Sequence, residues 1–168
     1  EGDSCCLRRR RPLRGLGSPH RRRAAFAASA CWGRPLKHAF HSAACALAAA
    51  DAFDDLARRE QAGESFDLVV CDPPSFAPNQ KAVRAAQSAY TKLNAQALRR
   101  VRAGGLFAAA SCSSHVSMDM FLQTLRESSR VARRPLRVLE VRSEPPDHPT
   151  PLHFPEGRYL KFVLTVAE

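Results

Sequence analysis

The sequence predicts an open α/β sheet, and three observations carry that prediction. Helical and strand patterns alternate from residue 51 onward, two short apolar runs suit buried parallel strands, and a polar cluster follows the end of each run. Ligands bind beyond the carboxyl ends of strands in such sheets. Asp72-Pro73-Pro74-Ser75-Phe76 and Ser111-Cys112-Ser113-Ser114 therefore mark the candidate site.

Phe53 to Arg59 predicts a short helix, with Phe53, Leu56 and Ala57 on one face and Gly63 as its breaker. Phe66-Asp67-Leu68-Val69-Val70-Cys71 predicts a buried strand, ended by Asp72-Pro73-Pro74 because proline cannot continue a ladder. Lys81 to Val101 reads as a long helix, with Val83, Ala86, Tyr90, Leu93, Ala97 and Val101 at three- and four-residue spacing. Gly104-Gly105 is expected to stop it, and Leu106 to Ser111 forms the second strand. Ser117 is the expected N-cap of a helix from Met118 to Val131. A third strand, Leu136 to Val141, and a last one, Tyr159 to Val166, have only a Pro- and His-rich loop between them. They are expected to pair as an antiparallel terminal hairpin.

At 168 residues and 18.5 kDa the chain has room for one domain, and 45% hydrophobic against 25% charged residues excludes wholesale disorder. The longest apolar stretch, Ala43 to Ala50, falls far short of the roughly 20 residues of a membrane helix. No charged stub, apolar stretch and cleavage site opens the sequence, so a cytoplasmic location with reduced thiols is expected for its six cysteines.

The net charge of +10 is unevenly distributed. Residues 1–50 hold ten Lys/Arg against Glu1 and Asp3, while the remainder has sixteen basic and fourteen acidic residues. Arg8-Arg9-Arg10-Arg11 and Arg21-Arg22-Arg23 repel internally, and Pro12, Gly15, Gly17 and Pro19 punctuate the stretch between them. Ala24–Ala30 and His41–Ala50 favour short helices on alanine propensity, and no strand is predicted before residue 50. Two units follow: a basic, low-complexity, poorly specified segment over 1–49, and a regular α/β unit over 50–168. Translation of residues 1–50 out of frame, with the proper frame resuming near Asp51, is one reading of the abrupt change.

Two prolines after Asp72 fix the backbone, so a carboxylate and carbonyls point in set directions suited to a planar base, with Phe76 available for stacking. Cys112 ends a strand just before a helix start. A helix N-terminus lowers a thiol pKa from its usual value of about 8.5, and beside the Asp72-Pro73-Pro74 loop Cys112 becomes the leading nucleophile candidate. Cys71 lies inside the strand run and is expected to pack.

Residues Phe66 to Phe76, Ser111 to Ser114, and the tail Asp147-His148-Pro149 with Phe154-Pro155-Glu156-Gly157-Arg158-Tyr159-Leu160-Lys161 resemble the bacterial S-adenosylmethionine (SAM)-dependent large-subunit rRNA cytosine-5 methyltransferases. The resemblance covers roughly residues 50–168, the C-terminal two-thirds of a catalytic domain. It implies a Rossmann-like class I SAM-dependent methyltransferase fold, N-terminally incomplete here, with ribosomal RNA as partner. The reaction it implies forms 5-methylcytosine in 23S rRNA through a thiolate adduct of Cys112, with Asp72 bonded to the cytosine edge. Cofactor contacts carried over are Asp51, Ala52, Asp72 and Pro73, and substrate contacts are Pro74 and Phe76.

Several family features have no match. Gly15-Leu16-Gly17 follows no apolar strand, residues 4–50 contain no carboxylate for a ribose, and Ser75 stands where the family often has lysine. The family's N-terminal PUA domain has no counterpart either. Two other readings are a purine methyltransferase without a covalent cysteine step and a non-catalytic RNA-binding fragment using the arginine blocks. Cys31, His38, His41 and Cys45 lack a Cys-x-x-Cys, so no metal is expected. His115, His148 and His153 are read as surface or loop residues, with His148 in reach of a cleft. Tyr90 and Asn94 are assigned to packing or surface rather than to chemistry.

Overall fold

In the computed structural model of the protein, residues 5–8, 24–27 and 45–168 are described, apart from 148, 155 and 156, with side chains described from residue 49 onward. Strands β1 (Cys5–Arg8), β2 (Ala24–Ala27), β3 (Cys45–Ala48), β4 (Phe66–Cys71), β5 (Val101–Ser111), β6 (Leu136–Arg142) and β7 (Lys161–Ala167) form one sheet in the order β3-β2-β1-β4-β5-β7-β6. Helices α1 (Ala52–Gln61), α2 (Val83–Arg99) and α3 (Met118–Ala132) connect the later strands. The first five positions read 3-2-1-4-5 as in doubly wound sheets, but β1 runs antiparallel to both of its neighbours.

Strands occur where helices were expected near the start. Ala24–Ala27 and Cys45–Ala48 pair in parallel register, and Cys5–Arg8 pairs with both β2 and β4. Alanine's helix preference is worth well under about 1 kcal/mol per residue, and backbone ladder bonds along a sheet edge override it. β1 is antiparallel to β4, with Cys5 opposite Cys71 and Arg8 opposite Leu68. The chain therefore leaves β1 at the end of the sheet away from Asp72.

From residue 51 the expected order holds. β4 and β5 run parallel, and β6 and β7 form the antiparallel pair, with β7 inserted between β5 and β6. The last strand starts at Lys161 rather than Tyr159, and the largest boundary shift lies between α2 and β5. α2 stops at Arg99, and β5 starts at Val101 instead of Leu106. Phe66 opposes Val101 while Leu68 opposes Leu106, so β5 carries an irregular bulge between these rungs. Gly104 has φ +71°, and a Cβ on Gly105 would stand 2.8 Å from Val101 Cγ1, 2.9 Å from Arg102 O and 3.1 Å from Asp67 O. The glycine pair thus builds a bulge inside a strand rather than ending a helix.

The core lies between the sheet and the three helices. Val69, Cys71, Phe107, Ala109, Val163 and Ala167 meet Leu56, Tyr90, Leu93, Leu98, Phe121 and Leu125 in one buried cluster. Alternation along β7 places Lys161, Val163, Thr165 and Ala167 on the buried face. At the base of α1, buried Asp55 pairs with Arg59 and with Arg58, and Arg59 bonds Glu64 at 3.0 Å while lying over the Phe66 ring. This cluster fixes α1 against the start of β4. Among the described residues no helix is long and apolar enough to cross a membrane.

Candidate active site at the ends of β4 and β5

Parallel pairing puts Cys71 opposite Ala109, so β4 and β5 release their chains at the same edge of the sheet. Asp72 follows the first strand and Cys112 the second. Asp72 and Pro74 are exposed, Pro73 is buried, and Cys112 is half-buried.

Hydroxyl groups tie the two loops together. Ser75 Oγ lies 2.9 Å from Ser113 Oγ, and Ser113 Oγ lies 2.8 Å from the Tyr90 hydroxyl. Ser111 Oγ donates to the same Tyr90 oxygen at 3.0 Å, and the Ser113 amide donates to Ser111 Oγ at 3.3 Å. With Ser111 donating to Tyr90, the protons run Ser111 to Tyr90 to Ser113 to Ser75 in a satisfied chain. On the other side, Lys161 Nζ donates to the carbonyls of Ser113 and Val116. Phe76 packs on Tyr90, with ring centroids 4.7 Å apart, and Tyr90 meets Phe121 edge-on.

The electrostatics depart from the expectation for Cys112. Burial pushes its thiol pKa up from 9.0, and the Asp72 charge pushes it further up, while its own backbone hydrogen bond and Lys161 act the other way. The expected helix effect does not dominate, because α3 begins only at Met118 and Ser117 already caps it through the Met120 amide. Desolvation also raises the Asp72 carboxyl, although the residue as a whole is exposed. Burial lowers the Lys161 ammonium, opposed by Cys112 and Glu144.

Asp51 is the N-cap of α1: its Oδ1 accepts from the amides of Phe53 at 2.9 Å and Asp54 at 3.1 Å. Ala52 is buried beside it. Cys71 is fully buried, as its place in the strand predicted. His115 is exposed with Nδ1 3.3 Å from Ser114 Oγ, and His153 is exposed in a loop. His148, the side chains of Cys31, His38, His41 and Cys45, Gly15 and Gly17, and the arginine-block side chains lie outside the described residues. Among the described residues no three His, Cys, Asp or Glu side chains group as metal ligands. A cavity of about 860 Å³ lies elsewhere, lined by Gln123, Arg126, Arg130, Arg133 and neighbours at the far end of α3.

Sequence reasoning missed Tyr90 and Lys161. Helical periodicity correctly buried Tyr90, but its hydroxyl partners lie 21 and 23 residues away and left no local signal. Lys161 did leave one: it shares a strand face with Val163 and Thr165, and a lysine in that position needs a polar partner.

The chain is 34% identical over 111 residues to ribosomal RNA large subunit methyltransferase I of Erwinia tasmaniensis, covering 66% of this chain and 28% of that protein. The same protein of Shewanella denitrificans is also 34% identical, over 112 residues, 67% of this chain and 28% of its own length. Over these residues the chain is similar to part of the two rRNA large-subunit methyltransferases. It spans 28% of their length. No family model matches the sequence. Among solved structures, a methyltransferase complexed with SAH matches with a TM-score of 0.62 at 23% identity, covering 74% of this chain and 32% of that one. A SAM-dependent methyltransferase from Streptococcus mutans matches with a TM-score of 0.60 at 19% identity, over 74% of this chain and 31% of that one. The fold is that of the SAM-dependent methyltransferases.

Proposed function

We propose that the chain is the C-terminal catalytic part of a SAM-dependent methyltransferase that forms 5-methylcytosine in 23S rRNA through Cys112. The observation that carries this reading is the convergence of Asp72 and Cys112 on adjacent parallel strand ends in a chain similar to part of rRNA large-subunit methyltransferase I.

The described residues suit the adenine and methyl-bearing end of SAM. Asp51 presents an exposed carboxylate held in place by its capping bonds, with Ala52 beside it, and Asp72 with Pro73 closes the strand end. SAM, when bound, supplies an electrophilic methyl group. The rest belongs to the protein and the base. Cys112 gives up its proton, and its thiolate adds to C6 of the cytosine, which makes C5 nucleophilic. Asp72 hydrogen-bonds the N3 edge and stabilises the N3-protonated adduct. Once C5 carries the methyl group, its proton passes to a base, the C5–C6 double bond re-forms, and the pair in the C6–S bond returns to Cys112. Pro74 and Phe76 flank the base, with the Phe76 ring backed by Tyr90.

Residues 50–168 are the part assigned to this chemistry, and strands β1 to β3 of the preceding residues extend the same sheet. Comparison of the three reading frames of the encoding DNA tests whether the first segment is out of frame. The function is tested by calorimetric binding of S-adenosylhomocysteine, followed by transfer of labelled methyl groups from SAM to unmodified 23S rRNA and analysis of the nucleosides. The expected product is 5-methylcytidine, lost in Cys112→Ala while cofactor binding remains. A methylated purine, or transfer undiminished by Cys112→Ala, would overturn the proposal.

A further inference from the structure

We infer that Lys161 is a positioning residue for Cys112: it clamps the loop that carries the thiol and fixes an ammonium beside it. This rests on the reading of Cys112 as the nucleophile. β7 pairs antiparallel with β5, and the last rung of that ladder sets Lys161 opposite Ser111, one residue before Cys112. The side chain is 5% exposed. Its Nζ reaches the carbonyls of Ser113 and Val116, which bracket the turn closed by the Val116 amide on Ser113 O at 3.2 Å.

An apolar side chain would fill this position at less cost than a desolvated cation, if packing were all that mattered. Among the described residues Lys161 makes no ion pair, so carbonyl oxygens are the partners its hydrogen bonds reach. The charged and titratable groups around the pair are few. Asp72, from the loop after β4, opposes ionisation of Cys112, and Lys161, from β7, favours it. Glu144, after β6, acts on Lys161 while its carboxylate accepts the Leu160 amide at 3.0 Å. Tyr90 from α2 meets the loop through its hydroxyl, and His115 of the loop itself is exposed and bonded to Ser114. When Cys112 loses its proton, its thiolate faces the buried ammonium, so the thiolate is favoured where burial and Asp72 resist it.

The test needs neither cofactor nor RNA. The rate of alkylation of Cys112 by iodoacetamide is followed against pH in the full chain, read by mass spectrometry on the Cys112 peptide. Lys161→Gln, which keeps a donor for the carbonyls but not the charge, is expected to move the profile upward by about one pH unit. Lys161→Arg is expected to restore it, and Asp72→Asn to move it downward. A folded Lys161→Gln protein with an unchanged profile would overturn the inference, as would equal shifts in Lys161→Gln and Lys161→Arg. Lys161→Met provides the same comparison should the glutamine variant unfold. Failure of the methyltransferase reading shows instead as methyl transfer that survives Cys112→Ala, whatever the alkylation profile.

Discussion

The Tyr90 hydroxyl lies 2.8 Å from Ser113 Oγ, which joins the middle of α2 to the residue that follows Cys112. Tyr90 also accepts from Ser111 and backs Phe76, so one buried side chain touches both loops of the site. Packing alone would ask for phenylalanine here. The hydroxyl is retained in a fully buried residue because it satisfies two serines that are themselves buried.

Tyr90→Phe is expected to lower stability by about 1–3 kcal/mol, the range for leaving a buried polar partner unsatisfied. Urea denaturation measures this directly. If the latch holds the site, methyl transfer should fall by more than SAH affinity does.

Gly105→Ala is expected to destabilise the chain by about 1–3 kcal/mol, because the new methyl group meets backbone oxygens of Arg102 and Asp67 that cannot swing aside. Gly104→Ala should cost about 1 kcal/mol through its positive φ alone. Thermal melts of the two variants separate the contact effect from the dihedral effect.

The elements from α1 onward were legible because their information is local. Apolar runs, helical periodicity, Ser117 as a cap and the Asp72-Pro73-Pro74 stop each act within a few residues. The strands before residue 50 were not legible, since Ala24–Ala27 and Cys45–Ala48 become strands only through partners distant in sequence. The Gly104-Gly105 bulge was misread for the same reason: glycine pairs end helices and shape strands, and the rung between Phe66 and Val101 decides which. The placement of Asp72 and Cys112 at neighbouring strand ends was legible because the strand runs before them were. Their electrostatics were not, because burial and the Asp72 charge outweigh a helix start several residues away.

Asp55 makes acid stability testable. Burial works to raise its pKa, but the hydrogen bonds and charges of Arg59 and Arg58 win, so the folded value lies below 3.8. A depressed carboxyl contributes stability that is complete above its unfolded pKa and is lost as pH falls through the folded one. The contribution should therefore be intact at neutral pH and fade below pH 3.8. Asp55→Ala leaves buried Arg59 with Glu64 as its remaining carboxylate partner and should cost about 1.5–3 kcal/mol at pH 7, the range for a hydrogen bond to a charged group. The difference from the parent protein should shrink in melts at pH 3.

The central claim is that Cys112 attacks a cytosine, and trapping that adduct tests it most directly. The protein is incubated with SAM and a 23S rRNA fragment containing 5-fluorocytidine, whose fluorine cannot leave as the C5 proton does. The account predicts a denaturation-resistant protein–RNA complex, with the cross-link on the Cys112 peptide and none from Cys112→Ala. Methylated RNA formed without any complex, and formed equally by Cys112→Ala, would contradict it.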